Sequence, residues 1–242
     1  MFLNNLKILI IYVLWVNTVY SQYHPPIQIF PPELYNAGSQ NWKISQDAQH
    51  RVYVANNFGL LEFNGSDWSL HPTPNNSIMR SVFVNSTAVY TGSYMDFGYW
   101  LRQKNGTLTY RSIAKNLNFS MIEDEQVWNI IPHKQFIVFQ TLDRLIIYDQ
   151  VTQGISTFNP VSGILKVFVE GDNIYYQDNN LSIYNIVNEN GILFLSADEL
   201  SNNQVIGLSN SPIGTLIVTR EKGLLLKQNG VKPFNPSLSK TL

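Results

Sequence analysis

A pair of turn-forming residues recurs along the chain at intervals of about forty residues, and this repeat limits the possible folds more than any other feature. Asn-Gly pairs stand at 64–65, 105–106, 190–191 and 229–230, and a Gln-Gly pair at 153–154. Their glycines are 41, 48, 37 and 39 residues apart. Asn-Gly is a strong hairpin signal because both residues accept the positive φ of a type I′ turn. The repeat therefore predicts five hairpins in equivalent places.

Each predicted hairpin belongs to a unit of four short β-like runs. In the first unit these runs are Trp42–Ile44, Val52–Ala55, Leu60–Phe63 and Trp68–Leu70. The other four units repeat this order, and no window of 12 residues shows a convincing helical stripe of apolar residues. Four antiparallel strands at a period of 40–45 residues are typical of a β-propeller blade. We therefore predict an all-β fold with about five blades within residues 41–242.

Two structural points stay open at this stage. A β-sandwich is the alternative fold, although it does not explain the recurrent Asn-Gly register. Five blades are fewer than the six to eight that are usual, so we expect a partial propeller. In a partial propeller a terminal blade lacks a neighbour, and we expect apolar residues such as Ile217 or Leu225 to be exposed on it.

The N-terminal segment has the composition of an export signal. Lys7 precedes an apolar run from Ile8 to Val16, and Val19 and Ser21 take the −3 and −1 positions of a cleavage site. This pattern predicts a cleaved secretory signal over residues 1–21. An uncleaved membrane anchor is the alternative, although nine apolar residues are short for a span, which needs about 20.

The next segment and the lack of cysteine complete the predicted organisation. Residues 22–40 contain four prolines, which cannot donate to a sheet, so we predict an extended leader. An exported chain with no cysteine fits a bacterial envelope better than a disulfide-rich eukaryotic exterior. We therefore expect localisation in the periplasm of a gram-negative bacterium.

Composition and motifs exclude several classes of function. The chain has 16 basic and 17 acidic residues, so it offers no positive field for nucleic acid and we expect none to bind. No cysteine is present, and the four histidines form no metal-ligand motif. No nucleophile elbow or phosphate-binding glycine loop occurs. We therefore expect no cofactor, no metal and no catalytic residue, that is, a protein that is not an enzyme.

The loops between the second and third strands of the blades carry the candidate binding residues. Binding residues of a propeller usually lie on loops around the central channel. These loops mix amides, acids, bases and one tyrosine, which suits a polar ligand such as an oligosaccharide. Ordinary turn chemistry explains many of the same asparagines and aspartates. The candidate ligand-binding residues are Asn57, Tyr94, Asp96, Arg144, Asn180 and Glu221, with Asn56, Asp143, Asn179 and Lys222 beside them.

The first unit resembles the two-component-regulator propeller repeat. The residues that carry the resemblance are Trp42, Gln46-Asp47, Val52-Tyr53-Val54, Asn57-Phe58-Gly59-Leu60, Asn64-Gly65 and Trp68. Later segments fit the same group over most of residues 41–234, although His50 stands where the repeat prefers glycine. The resemblance implies a bacterial periplasmic sensor. In that family the propellers precede a triple-tyrosine domain, a membrane helix, and a LuxR-type DNA-binding domain or a histidine kinase.

Two hypotheses of function follow. The first is a non-catalytic periplasmic module that senses a polar ligand, such as a glycan fragment, for a bacterial signalling or transcriptional regulator. Its partners would be the ligand, downstream domains of the same polypeptide and, in the full-length protein, a second copy. The alternative is a secreted stand-alone propeller that binds carbohydrate or acts as a glycosidase, which needs a pair of carboxyl groups.

Overall fold

The structure is a computed structural model that describes residues 27–187 and 190–234. It divides the chain into two compact units, Met1–Pro31 and Pro32–Leu242. Of the first unit only residues 27–31 are described, and they have no regular structure. The predicted signal segment 1–21 and residues 22–26 of the predicted leader lie outside the described residues. Within the rest of the leader, α1 (Pro32–Tyr35) forms one helical turn, which Pro32 favours because its φ is already helical.

The second unit consists of short strands. In chain order they are β1 Asn41–Gln46, β2 Val52–Asn56, β3 Gly59–Phe63, β4 Trp68–His71, β5 Met79–Val84, β6 Val89–Ser93, β7 Phe97–Arg102, β8 Leu108–Ser112, β9 Asn129–His133, β10 Phe136–Gln140, β11 Leu145–Asp149, β12 Ile155–Phe158, β13 Lys166–Glu170, β14 Asn173–Gln177, β15 Ile183–Val187, β16 Asn190–Leu195, β17 Val205–Ser211, β18 Gly214–Thr219, β19 Leu224–Lys227 and β20 Val231–Pro233. One 3₁₀ turn, Ala114–Asn116, follows β8.

The strands form five separate sheets of four strands each. Every sheet is an antiparallel meander in which the strands lie side by side in chain order. This arrangement confirms the prediction of four-stranded propeller blades and agrees with the predicted grouping of the strands into five units. The first strand of each blade (β1, β5, β9, β13 and β17) is called the inner strand below.

Successive blades pack through apolar clusters, which explains why their middle strands are apolar on both faces. Phe97 of the second blade and Phe139 of the third lie 4.6 Å apart between ring centroids. Four such clusters join the first blade to the second, the second to the third, the third to the fourth and the fourth to the fifth. Among the described residues, no such cluster joins the fifth blade to the first. Each blade is therefore stabilised mainly by its neighbours.

The expectation about the terminal blade was wrong for the residues that we named. Ile217 is 0% exposed and Leu225 is 7% exposed. Both belong to the cluster that also contains Leu195 and Leu200 of the fourth blade and its connection. They are buried because they lie on the face that meets the preceding blade, which the sequence did not distinguish from the outer face. At the other end, Tyr35 of α1 packs on Trp68 of the first blade, with ring centroids 5.6 Å apart.

The pairs at 64–65, 105–106, 153–154 and 229–230 lie between the third and fourth strands of their blades, as predicted, but the first two do not adopt the predicted type I′ conformation. Gly65 and Gly106 have φ of 103° and 87°, whereas Asn64 and Asn105 are not in the positive-φ region. The Asn64 side chain instead accepts hydrogen bonds from the amides of residues 66 and 67. The pair at 190–191 begins β16 rather than the turn, because residue 190 already pairs with Val187.

No helix among the described residues combines the length and the apolar character that a membrane crossing needs.

Candidate functional site

The inner strands of all five blades begin with the same irregularity. In β1, β5 and β17 the pairing register shifts around Trp42, Arg80 and Ile206. In the other two blades, the amides of Trp128 and Leu165 donate to the carbonyl of a glutamine that also pairs with the following residue. The first three places are β-bulges, in which two residues oppose one and a side chain is redirected, and in the other two the residue just before the strand shares the glutamine partner of the first strand residue. We call these five residues the mouth ring.

The mouth ring lies where the inner strands begin, and solvent reaches it. Trp42, Leu165 and Ile206 are 40%, 39% and 47% exposed, and Arg80 and Trp128 are half-buried. Because the strands of a meander alternate in direction, the loops between second and third strands lie at this same end. The candidate ligand-binding loops and the mouth ring therefore share one end of the blades.

Three members of the mouth ring contact one another across three blades. The guanidinium carbon of Arg80 lies 4.0 Å from the ring centroid of Trp42 and 4.8 Å from that of Trp128. The two indoles are 6.0 Å apart and nearly perpendicular, at 84°. The cation therefore lies in a corner formed by two aromatic rings, an arrangement that cation–π attraction stabilises.

Amide side chains hold this corner in place. Arg80 Nε donates to Oε1 of Gln126 at 2.8 Å, and Trp42 Nε1 donates to Oδ1 of Asn57 at 2.8 Å. Gln126 also pairs with Tyr94 through the backbone. These contacts fix one edge of the guanidinium and the orientation of one indole.

Positive charge continues along the inner strands next to the mouth ring. Lys43 and Lys166 each follow a ring residue, and the ammonium group of Lys166 donates to the carbonyl oxygen of Ile206 at 2.7 Å. Burial, and then the positive charge of Lys43, lower the pKa of Lys166. The first and fourth blades therefore bring two cations within electrostatic reach of each other.

Two of the predicted site residues adjoin the mouth ring. Asn57 contacts Trp42 as described, and it is half-buried. Tyr94 is 38% exposed, and its hydroxyl donates to Oδ1 of Asp124 at 2.5 Å. The hydrogen bond to Asp124 and the negative charge of that carboxylate raise the pKa of Tyr94. A ligand role for these two residues stays a prediction.

Two other predicted residues make contacts within the chain. Arg144 is 7% exposed and binds Glu125 through two hydrogen bonds of 2.8 and 2.6 Å. Asp96 accepts a hydrogen bond of 2.6 Å from Ser112, and it also lines a groove of about 360 Å³. Glu125, the last residue of the acidic run 123–125, therefore forms an ion pair inside the chain.

The remaining predicted residues lie on the equivalent loops of the third, fourth and fifth blades, apart from Asn56 at the end of β2. The amide of Asn180 donates to Ser162 Oγ at 3.2 Å, and the side chain of Glu221 is exposed. Asp143, Asn179 and Lys222 are exposed as well. Asn56 differs, because it is fully buried and bonds the backbone of residues 38 and 40. A ligand role for this set stays a prediction.

Arg80 and Trp128 were not predicted as site residues, and Trp42 was predicted as the start of a strand and a residue of the repeat but not as part of a site. Alignment of the five units on their first strands would place these three residues at one position. Tryptophan, arginine and tryptophan at the same position of successive blades is a detectable signal. The three side chains meet only because of how the first three blades are arranged relative to one another, and that arrangement could not be predicted from the sequence.

A second polar region lies at the opposite end, between the first and second blades. A cleft of about 370 Å³ is lined by the 46–49 and 84–88 segments among others. Asp47 binds Arg51 at 2.7 Å and accepts a hydrogen bond from Tyr53. Burial would raise the pKa of Asp47, but the hydrogen bonds and charge of Arg51 lower it below its usual value. These carboxylate and guanidinium groups neutralise each other.

The network of polar side chains in this cleft continues into the interface between the first and second blades. Arg102 binds both Tyr53 and Glu62, and His71 lies 3.1 Å from Glu62. Burial would raise the pKa of Glu62, but the hydrogen bond with His71 and the charge of Arg102 lower it. The network therefore holds Glu62 ionised and joins β3 to β7.

Comparisons of sequence find no relative. No family model matches the chain, and no curated protein matches it.

Comparisons of structure find similar folds at low identity. The extracellular domain of BT4673 from B. thetaiotaomicron, a protein proposed to be a one component system, has a TM-score of 0.58 and 16% identity, over 82% of this chain and 28% of that chain. The computationally designed Ika8 protein has a TM-score of 0.55 and 11% identity, over 81% and 59%. BamB from Moraxella catarrhalis has a TM-score of 0.50 and 12% identity, over 74% and 59%. At these identities the likeness establishes the propeller fold.

The chain spans only part of these structures, 28% of the BT4673 domain and 59% of each of the other two.

Proposed function

We propose that this chain is a non-catalytic, exported ligand-sensing module of a bacterial signal-transduction or transcriptional regulator. Its ligand is a polar molecule such as a glycan fragment, and it binds at the mouth ring. The observation that carries the proposal is the corner that Trp42, Arg80 and Trp128 form at the end of the blades where the candidate loops lie.

The chemistry of this end suits a saccharide. Exposed indole faces are apolar platforms for the C–H faces of a sugar ring, and amide and charged groups around them meet hydroxyls. Trp42 is 40% exposed and donates a hydrogen bond to Asn57. Its neighbour Arg80 donates to Gln126, which pairs with Tyr94 through the backbone. A binding site usually combines a mostly apolar surface with a few polar groups in fixed positions.

The signalling role is supported by the fold and by the resemblance of the first unit to the two-component-regulator repeat. One structure with a similar fold is the extracellular domain of BT4673, a protein that is also described as a proposed hybrid two component system. In this proposal the chain acts in the periplasm, and other domains of the same polypeptide transmit the signal. Dimerisation of the full-length protein would let ligand binding change the distance between two outputs.

The carboxyl groups argue for binding rather than glycoside hydrolysis. A glycosidase needs an acid with a raised pKa and a second carboxylate at a fixed distance. Among the described residues, each carboxyl group with a displaced pKa is displaced downward, by ion pairs or hydrogen bonds. The same part of the chain holds no cluster of three acidic or histidine residues suited to a metal.

A thermal-shift screen of the purified chain against plant and bacterial oligosaccharides tests the proposal. We expect a subset to raise Tm, and Trp42→Ala to abolish that rise without lowering the Tm of the free protein greatly. Val151→Ala is the control and should leave the rise unchanged, because Val151 is apolar and 75% exposed but lies between β11 and β12, at the opposite end of the blades. Chromatography of the incubated saccharides tests hydrolysis in the same samples. Cleavage products would favour a glycosidase, and the absence of any Tm rise would contradict the proposal.

A further inference from the structure

The arginine of the mouth ring differs from the other arginines that are buried or half-buried, whereas Arg111 and Arg220 are exposed. Arg51, Arg102 and Arg144 each bind a carboxylate, from Asp47, Glu62 and Glu125 respectively. Within the described part of the chain, Arg80 forms no ion pair. A half-buried guanidinium without a counter-ion has lost part of its hydration and has gained no opposite charge in return.

The free edge of Arg80 is the edge that recognises anions. Its Nε is bonded to Gln126, while Nη1 and Nη2 donate to no acceptor among residues 27–187 and 190–234. The two terminal nitrogens of a guanidinium form a planar fork that matches the two oxygens of a carboxylate. The indoles of Trp42 and Trp128 contact this guanidinium and limit the directions from which a ligand approaches.

The surrounding inner strands add positive charge and little negative charge. Across the described inner strands the cations are Lys43, Arg80 and Lys166, and the single carboxylate is Glu170. Glu170 is the last residue of β13, far from the mouth ring along the strand, and it accepts a hydrogen bond from the amide of Asn210. The channel lining therefore has a net positive charge in a chain whose total is −1. Such a lining attracts an anion.

Two members of the acidic run 123–125 have other contacts, while Glu123 and the loop carboxylates Asp143 and Glu221 are exposed. Asp124 accepts the hydroxyl of Tyr94, and Glu125 is buried against Arg144. The acidic run next to the mouth ring thus leaves the outer edge of Arg80 unpaired.

We propose that the mouth ring recognises a saccharide whose ring carries a carboxylate, that is, a hexuronic acid residue. Arg80 binds the carboxylate with Nη1 and Nη2, and Trp42 packs against a face of the sugar ring. Lys43 and Lys166 attract further acid groups of an oligomer into the channel. This inference rests on the proposed function, because it assigns the class of glycan to the same site.

Binding of matched disaccharides, followed by calorimetry and tryptophan fluorescence, tests the assignment. The probes are digalacturonate, a glucuronate-containing disaccharide, the methyl ester of each, and the neutral disaccharides of the same linkage. We expect at least one acid to bind more tightly than its ester and its neutral counterpart. Its affinity should fall as salt is added, since the pair is partly exposed.

Substitutions separate the charge contact from the platform. Arg80→Gln should weaken binding of the acid by roughly 10- to 100-fold, the range that loss of charge-assisted hydrogen bonds gives, and should leave the ester little changed. Arg80→Lys keeps the charge but lacks the planar fork, so its affinity for the acid should lie between those of the parent and of Arg80→Gln. It also replaces Arg80→Gln in the test if that variant does not fold. Arg111→Gln, on the exposed face of β8, is the matched control and should bind as the parent does.

The outcomes distinguish this inference from the function on which it rests. Equal binding of acids, esters and neutral sugars would overturn the inference and leave the sensing proposal standing. Loss of affinity in Arg80→Gln that is the same for acid and ester would also overturn it, because it would indicate a structural role. If no saccharide binds, both proposals fail.

Discussion

Phe139→Ala is expected to be among the most destabilising single substitutions in this chain. Phe139 lies in β10 and is 0% exposed. Its ring centroid is 4.6 Å from that of Phe97 and 6.4 Å from that of Tyr90, and both partners belong to the preceding blade. The side chain therefore joins the second and third blades directly.

The expected cost follows from this burial. A phenylalanine buries about 150–250 Å², which at ~25 cal/mol per Å² corresponds to about 4–6 kcal/mol for the complete side chain. Alanine keeps part of that area, and the measured range for such truncations is about 3–5 kcal/mol. A domain has only about 5–15 kcal/mol of stability in total. The variant should therefore unfold at a much lower concentration of urea.

Urea unfolding followed by tryptophan fluorescence measures this cost. Ile44→Ala is the control, since Ile44 is 67% exposed and such surface changes cost less than about 0.5 kcal/mol. A double-mutant cycle with Phe97→Ala should give a coupling of about 0.5–1.5 kcal/mol between the rings. If Phe139→Ala costs less than about 1 kcal/mol, far below the expected range, the two blades do not pack through this ring and the stacking argument is refuted.

Three further results are expected. Glu125→Ala leaves the buried guanidinium of Arg144 unpaired and should cost about 3–5 kcal/mol in urea unfolding; a cost near zero would mean that the pair is solvated. The pKa values of Asp47 and Glu62 are lowered in the folded state. Their contribution to folding stability is therefore complete when the pH is above the pKa values of the unfolded chain, and it is lost as the pH falls through the lowered pKa values of the folded state. Tm should therefore be steady near neutral pH and fall below about pH 4, and Asp47→Asn should flatten that fall. The chain should not shift duplex DNA on a gel at moderate salt; a persistent shift would reveal a positive surface that the sequence lacks.

The blades could be predicted from the sequence because their determinants are local. Short apolar runs, turn residues and a constant period placed the strands to within a few residues; the predicted run Val52–Ala55, for example, corresponds to β2, Val52–Asn56. Turn geometry was less predictable. The side chain of Asn64 satisfies backbone amides, so the asparagine needs no positive φ, and the pair at 190–191 sits one step beyond its turn.

The site was less accessible because it depends on distant residues. Arg144 was predicted to meet a ligand, yet its charge is paired with Glu125, 19 residues earlier. Arg80 has no motif around it, and its environment arises where Trp42 and Trp128, from the blades on either side of its own, converge on it. A bulge also breaks the alternation by which strand residues are assigned to a face. The alternation of residues along the strands therefore could not indicate that these side chains point to the channel.

Hydrogen exchange of backbone amides, measured with and without digalacturonate, tests most directly the claim that ligand is recognised at the mouth ring. Recognition at the mouth ring predicts slower exchange in the bound state at 41–43, 79–81 and 126–129 and in the neighbouring loop at 57–58. It predicts no change at 47–51 and 85–88, which border the cleft at the opposite end. Protection at that cleft, or no protection anywhere at concentrations that saturate binding, would contradict the account.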